Sequence, residues 1–280
     1  MKKIHLLPNV MTAFGLSCGL FAIFKINMTG VGEVDFHILM ITTGILVMAA
    51  IADLLDGAIA RAMKAESEFG GLFDSLADAI SFGVAPSVII LKSLSIVPGT
   101  DLSFLLTTGA IVYSICGVLR LVRFSLMSHH AKTSIEEMTA HQKTFTGLPI
   151  PAAAAAAISA NLLLASDEFR ALLTLSERTR AALLFFVLIV LGYFMISRWK
   201  FPSLKSLHIR VGSFQIVFLT VVITVTIFYG LLHHFPVVFF IISWLYIIVA
   251  WVLSIIRLVS GRKSKTLEDF EPEHEDLDHD

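Results

Sequence analysis

Charged residues are scarce in this sequence, and their scarcity excludes an ordinary water-soluble domain. Only 15% of the 280 residues are charged and 56% are hydrophobic, whereas a typical soluble domain is about 25% charged and roughly 45–50% apolar. Repeated apolar runs of about 20 residues are typical of membrane-spanning helices. We therefore expect an all-α, polytopic membrane helical bundle.

Cysteines are few, and the common nucleotide-binding motifs and internal repeats are missing. The two cysteines, Cys18 and Cys116, lie inside apolar runs, which favours buried hydrophobic side chains over a disulfide or a thiolate metal site. The sequence contains no GxGxxG-type or P-loop pattern for binding phosphates. It also has no repeat of fixed period, which argues against the paired repeats of many secondary transporters.

The apolar runs predict eight transmembrane helices. Their expected bounds are 10–28, 37–60, 71–92, 103–127, 149–166, 181–197, 213–232 and 236–257. Sixteen of the 21 lysine and arginine residues then fall on the side that holds both termini. The positive-inside rule makes that side cytoplasmic. Segment 128–146 becomes a cytoplasmic loop and segment 167–180 a polar extracytoplasmic loop.

The acidic residues divide into a polar tail and a small group inside the apolar helices. Eight of the 22 acidic residues lie in residues 266–280, a segment that we expect to be a disordered, solvated tail. Within the predicted spans and at their ends, the only acidic residues are Asp53, Asp56, Asp74 and Asp78. A carboxylate at the centre of a membrane helix costs about 2.5–3.5 kcal/mol on insertion scales, so four of them indicate a function.

The spacing of these aspartates predicts one shared site. Asp53 and Asp56 are three residues apart and Asp74 and Asp78 are four apart, so each pair occupies one helix face. The linker between the two helices is short, and we expect it to make them antiparallel neighbours. The two pairs then face each other at the cytoplasmic end of the bundle.

Four ionised carboxylates in one place require neutralisation by protons or cations. Two such charges about 4 Å apart repel by roughly 4 kcal/mol at an effective dielectric constant near 20. Oxygen ligands without paired histidine or cysteine favour Mg²⁺ or Mn²⁺ over zinc. Two such ions a few ångströms apart suit a phosphoryl displacement, and one carboxylate not consumed by metal can act as a general base.

The neighbouring residues suit a phosphate. Gly57 has no side chain to keep a phosphate away from the helix, and Arg61 can bind a phosphate through two hydrogen bonds. Gly70 and Gly71 are expected to allow a tight turn into the second acidic helix.

This pattern resembles the signature of the CDP-alcohol phosphatidyltransferases. Asp53, Asp56, Gly57, Ala60, Arg61, Gly70, Asp74 and Asp78 match its eight fixed positions over 26 residues. The resemblance implies a six-helix catalytic core, a polar cavity open to the cytoplasm, a CDP-linked lipid donor and a dimer. It implies that residues 1–200 form the core and that residues 201–265 add two transmembrane helices.

The resemblance also implies roles for individual residues. Asp53, Asp56 and Asp74 are the implied metal ligands, and Asp78 is the implied general base that also touches the second metal. Gly57, Arg61 and Ser67 correspond to donor-binding positions. Segment 7–12 resembles the nucleotide-contacting start of the first family helix, which suggests Asn9 and Thr12 as further donor contacts.

Two later segments point to the acceptor. Segments 113–124 and 145–154 resemble the membrane-bound phosphatidylserine synthases of this family, although Ser125 stands where an asparagine commonly follows the Arg-Phe pair. Arg120, Arg123 and Lys143 are candidate partners for an anionic group on the acceptor or donor. The alternative for each is ordinary anchoring on the positive side of the membrane.

The leading hypothesis is transfer of a phosphatidyl group from CDP-diacylglycerol to L-serine, giving phosphatidylserine and CMP. One alternative is the same chemistry with glycerol 3-phosphate or an inositol compound as acceptor. A divalent-cation transporter that uses the acidic cluster as an ion path is the alternative from another class. We expect an integral protein of a bacterial-type inner membrane, working as a homodimer and without nucleic acid.

Overall fold

The chain is almost entirely helical where its structure is described. A computed structural model describes residues 6–30, 32–63, 67–97, 99–131, 144–197, 200–202 and 227–260. Its helices are α1 (Leu6–Asn27), α2 (Phe36–Ala62), α3 (Glu68–Asp78), a π segment (Ala79–Val84), α4 (Ala85–Ser93), α5 (Asp101–Ala131), α6 (Ile150–Ala165), α7 (Asp167–Leu172), α8 (Glu177–Ile196) and α9 (Phe235–Ser260). Residues 227–233 are also helical, and two short strands are β1 (Thr144–Thr146) and β2 (Lys200–Pro202).

Six helices in the described residues are long and apolar enough to cross a membrane. They are Leu7–Asn27, Phe36–Ala62, Glu68–Ser93, Asp101–Leu126, Glu177–Ile196 and Phe235–Val252. The shorter apolar helix α6 lies where the fifth span is expected. These helices confirm the predicted all-α, polytopic membrane fold. The expected span 213–232 lies outside the described residues except for its helical end from 227 onward, so the count of eight stays a prediction.

Three local expectations are wrong. Segment 167–180 is not simply a loop, because it contains α7 and the first turn of α8. Residues 128–131 belong to α5 and not to the loop that follows it. Gly70 and Gly71 form no turn, because α3 already begins at Glu68: the Ser67 hydroxyl accepts a hydrogen bond from the Gly70 amide at 3.0 Å and caps the helix.

Helix α1 is the central helix of the half of the molecule that contains the four aspartates. It packs along α2 and also contacts α3, the π segment and α4. The short linker predicts that α2 and α3 are antiparallel neighbours, but in the structure each packs more extensively against α1 than against the other. The two acidic helices therefore meet around α1, which brings Thr12 beside Asp56.

Helix α6 is the buried centre of the other half. It packs against α8 and α9, and its alanines Ala153, Ala156 and Ala157 are completely or almost completely buried. Small side chains let neighbouring helix backbones approach closely, which favours van der Waals packing in an apolar environment.

A short antiparallel ribbon joins the chain before α6 to the chain after α8. Strands β1 and β2 pair with Phe145 opposite Phe201, and the Leu148 amide donates to the Phe194 carbonyl oxygen at 3.0 Å. Gly147 turns the chain between these contacts with φ +83°. A Cβ atom at Gly147 would lie 2.5 Å from the Met195 carbonyl oxygen, so only glycine fits this turn without strain.

Candidate active site

Carboxylates from two helices converge on one cleft. Asp53 and Asp56 lie near the end of α2, and Asp74 and Asp78 lie on α3. Asp53, Asp56 and Asp74 each offer an oxygen atom within 4.8 Å of the others, and Asp78 lines the same cleft beside them. The structure thus brings together both carboxylate pairs that the sequence pattern singles out.

The first helix orients one of these carboxylates. The Thr12 hydroxyl lies 2.5 Å from Asp56 Oδ2, to which it donates, and 3.1 Å from the Pro8 carbonyl oxygen. Thr12 and Asp56 are both buried, with 6% and 4% of their surface exposed. Hydrogen-bonded partners of this kind orient metal-binding carboxylates and hold their free oxygens in place. Thr12 thus contacts an aspartate here, and its expected contact with the nucleotide stays a prediction.

The expected donor-binding residues form two close pairs, Asn9 with Ser67 and Gly57 with Arg61. A Cβ atom at Gly70 would lie 3.0 Å from Ser67 Oγ and 3.2 Å from Asn9 Oδ1, so these two side chains meet over the first turn of α3. Arg61 is exposed, and its guanidinium lies over Gly57, where a Cβ atom would be 3.3 Å from Arg61 Nη1. An exposed guanidinium beside bare backbone suits an incoming phosphate.

Arginine approaches the acidic cleft from α5. Arg120 lies within electrostatic range of Asp78, and its buried Nε atom has no hydrogen-bond partner among the described residues. Arg123, one turn further along, is half-buried. Lys143 lies outside the described residues.

The sequence does not predict the positions of two residues near these arginines. Tyr246 of α9 lies within electrostatic range of Arg120, although its sequence context predicts a belt or packing residue. Ser125 Oγ lies 3.4 Å from Ser75 Oγ, and Ser75 sits between Asp74 and Asp78 on α3. No local sequence pattern predicts that either pair of residues lies close together, because the two members of each pair are on helices that are distant in sequence.

The donor set fits a hard divalent cation. The compact group offers carboxylate oxygens alone, from Asp53, Asp56 and Asp74, and two of these side chains are only partly buried. Oxygen donors of this kind are the ligands that Mg²⁺ and Mn²⁺ prefer. A cluster of carboxylates this close also needs positive charge to remain ionised.

Comparison with known proteins agrees with this geometry. The sequence profile described as CDP-alcohol phosphatidyltransferase matches residues 5–177. The chain belongs to the CDP-alcohol phosphatidyltransferase family. The expected family resemblance is thereby confirmed. In this CDP-alcohol phosphatidyltransferase the matched region runs from α1 to the first residue of α8, so α9 lies beyond it.

Several curated relatives of this CDP-alcohol phosphatidyltransferase carry the name CDP-diacylglycerol–serine O-phosphatidyltransferase. The protein from Helicobacter pylori is 29% identical over 256 residues, covering 89% of this chain and 95% of the relative. The protein from Bacillus subtilis is 32% identical, covering 72% of this chain and 93% of the relative. The protein from Methanocaldococcus jannaschii is 28% identical, covering 72% of this chain and 77% of the relative.

Proposed function

We propose that this membrane enzyme transfers the phosphatidyl group of CDP-diacylglycerol to the hydroxyl of L-serine, giving phosphatidylserine and CMP. The observation that carries the proposal is the cleft in which Asp53, Asp56, Asp74 and Asp78 converge. Family membership supports the transferase chemistry, and the names of the curated relatives support the donor and the acceptor. The predicted enzyme class is confirmed by these comparisons.

Asp78 is the general base in this proposal. It lines the cleft and lies within electrostatic range of Arg120 and of the other three aspartates, so a cation suited to the acceptor's carboxylate is close to it. The serine hydroxyl gives its proton to Asp78, and its oxygen forms a bond to the phosphorus esterified to diacylglycerol. The bond from that phosphorus to the oxygen of CMP breaks, and CMP leaves with the electron pair.

Asp53, Asp56 and Asp74 would hold divalent cations, with Asp78 as a further ligand. Two Mg²⁺ or Mn²⁺ ions are the proposed complement. When bound, such ions supply positive charge that offsets the charge of the pyrophosphate and of the leaving CMP. The chain's own contribution is to fix the ligands, as the Thr12 hydroxyl does for Asp56.

The remaining polar residues would bind the two substrates. On the donor side Asn9 and Ser67 meet over the first turn of α3 and Arg61 lies over Gly57, and these pairs are the proposed contacts of the nucleotide pyrophosphate. On the acceptor side Arg120 and Arg123 are one turn apart on α5, and the Arg120 Nε atom, which has no hydrogen-bond partner among the described residues, is a donor for a carboxylate. Lys143 is proposed as a further acceptor contact from the sequence alone.

We also propose the domain organisation, the membrane orientation and the assembly of the protein. Residues 1–200 would form the catalytic core, residues 201–265 would add two transmembrane helices, and residues 266–280 would be a solvated tail. The excess of lysine and arginine on the side of the aspartates supports a cytoplasmic active site and cytoplasmic termini in an inner membrane. A homodimer is the proposed assembly.

An acceptor panel tests this function directly. Purified protein receives CDP-diacylglycerol, Mn²⁺ and one of L-serine, glycerol 3-phosphate or myo-inositol 1-phosphate, and CMP release is measured together with the lipid product. We expect CMP and phosphatidylserine with serine only. CMP release with glycerol 3-phosphate and none with serine would overturn the serine assignment while retaining the transferase chemistry.

The same preparation separates an enzyme from a transporter. Reconstituted vesicles that take up Mn²⁺ without turning over lipid would favour the transporter. The lack of an internal repeat in the sequence argues against that alternative, because many transporters bind their substrate between paired repeats.

A further inference from the structure

The π segment Ala79–Val84 begins directly after Asp78, inside the helical path that carries two of the four aspartates. A π turn adds a residue to a helix, shifts the register of everything beyond it and often occurs at functional sites. The Ala85 amide closes the π turn by donating to the Ile80 carbonyl oxygen, five residues earlier. The direction of α3 relative to α4 therefore depends on this segment.

Proline removes one backbone donor at the end of this segment. Pro86 follows the π segment and has no N–H, so it cannot donate to the Phe82 carbonyl oxygen four residues earlier. A buried carbonyl without a partner costs free energy comparable to a lost hydrogen bond. Phe82 and Gly83 are both buried, so water is not a ready substitute.

Helix α5 supplies a side-chain donor where Pro86 cannot donate, and a second one to the next carbonyl group. The Tyr113 hydroxyl donates to the Phe82 carbonyl oxygen at 3.0 Å, and the Ser114 hydroxyl donates to the Gly83 carbonyl oxygen at 2.9 Å. Tyr113 is completely buried. Ser114 Oγ also lies 2.9 Å from Ser87 Oγ, which links α5 to the first turn of α4.

The opposite face of the π segment is held by close packing against α1. A Cβ atom at Gly19 would lie 2.8 Å from Ser81 Cα, so the two backbones touch there. Ser81 Oγ donates to the Gly15 carbonyl oxygen at 3.3 Å. The segment is therefore fixed between α1 and two hydroxyl groups of α5, and Ser81 and Phe82 line the acidic cleft next to Asp78.

We propose that Tyr113 and Ser114 are positioning residues that hold the π segment and thereby aim Asp74 and Asp78 at the carboxylates of α2. Neither hydroxyl reaches the cleft in this role. They act through the backbone between Asp78 and Pro86. The predicted effect on catalysis rests on the proposed function.

The test compares Tyr113→Phe with wild-type protein. The substitution keeps the ring and removes the hydroxyl, so the π segment loses its donor at Phe82 and α3 relaxes. Misplacement of reacting groups by about 1 Å can cost on the order of a hundredfold in rate. We expect kcat to fall at least about tenfold, and the Mn²⁺ concentration for half-maximal binding in calorimetry without substrates to rise at least about threefold.

Ser93→Ala is the matched control. Ser93 is a buried serine at the far end of α4, where its hydroxyl lies 2.8 Å from both the Ile90 carbonyl oxygen and Asn161 Oδ1. Its loss is expected to lower the unfolding temperature while Mn²⁺ binding and kcat remain at wild-type values. A Tyr113→Phe protein with lowered stability but wild-type Mn²⁺ binding and kcat would overturn the proposal.

Two substitutions of Ser114 provide a second test, in which we expect a smaller effect on Mn²⁺ binding. Ser114→Ala is expected to raise the Mn²⁺ midpoint, and Ser114→Thr, which keeps a hydroxyl, is expected to restore it. Equal Mn²⁺ binding by both variants and by wild type would also overturn the proposal. Because calorimetry needs no substrate, altered Mn²⁺ binding in a chain that fails the acceptor panel would refute the serine transferase function and still support the positioning role.

Discussion

At the residue scale, the site combines side chains that the sequence singles out with others that only packing brings there. Asp53, Asp56, Asp74 and Asp78 could be predicted because their spacing and their location in apolar helices are both local properties. The proximity of Tyr246 to Arg120 could not, because the two residues lie on helices far apart in the chain. The hydrogen bond from Thr12 to Asp56 is a third case: the sequence selects the residue, and the structure gives it a partner.

Replacing Thr12 tests that hydrogen bond. Thr12→Val keeps the side-chain shape and removes the hydroxyl that donates to Asp56 Oδ2. Loss of a partner that orients a metal ligand typically weakens metal binding about 10–100-fold. We expect the Mn²⁺ concentration for half-maximal activity to rise by about tenfold in Thr12→Val, and to stay near the wild-type value in Thr12→Ser. Wild-type Mn²⁺ dependence in the valine variant would show that the hydrogen bond does not orient Asp56.

At the element scale, the helices follow from composition and the irregular features do not. Apolar runs bounded by polar residues place the described spans close to their observed ends. The π segment and the β1–β2 ribbon depend on partners elsewhere in the fold, such as the α5 hydroxyls and the end of α8. The sequence predicts a turn at Gly70 and Gly71 because glycine pairs are typical of turns. In the structure α3 begins before them, since Ser67 caps the helix.

The ribbon gives a stability prediction. Gly147→Ala places a Cβ atom against the Met195 carbonyl oxygen at a residue with φ +83°. A non-glycine residue in that conformation costs on the order of 1–3 kcal/mol, so the variant should unfold at lower temperature in detergent. Gly44→Ala is the control, because among the described residues no atom outside its own stretch of α2 lies within 4 Å of its added Cβ, and helix propensity favours alanine. Equal unfolding temperatures for Gly147→Ala and wild type would show that the turn tolerates a side chain.

At the scale of the whole molecule, the aspartates of α2 and α3 lie around α1 and line one cleft. Helix α1 packs against both acidic helices, and α5 brings Arg120 and the supporting hydroxyls from the other side. The sequence predicts that the carboxylates meet, since helical periodicity fixes the face of each pair. It does not predict that α1 mediates the meeting, because the choice of neighbours in a helical bundle depends on contacts across the whole chain.

The central claim is that Asp78 takes the proton of the attacking hydroxyl in a metal-dependent transfer. The most direct measurement is serine-dependent CMP release by Asp78→Asn protein at saturating CDP-diacylglycerol and Mn²⁺, beside wild type and an Asp101→Asn control at the start of α5. Loss of a general base costs about 10²–10⁴-fold. We predict a fall of that size in kcat for Asp78→Asn and wild-type kcat for Asp101→Asn. Full turnover by a stably folded Asp78→Asn protein would contradict the account.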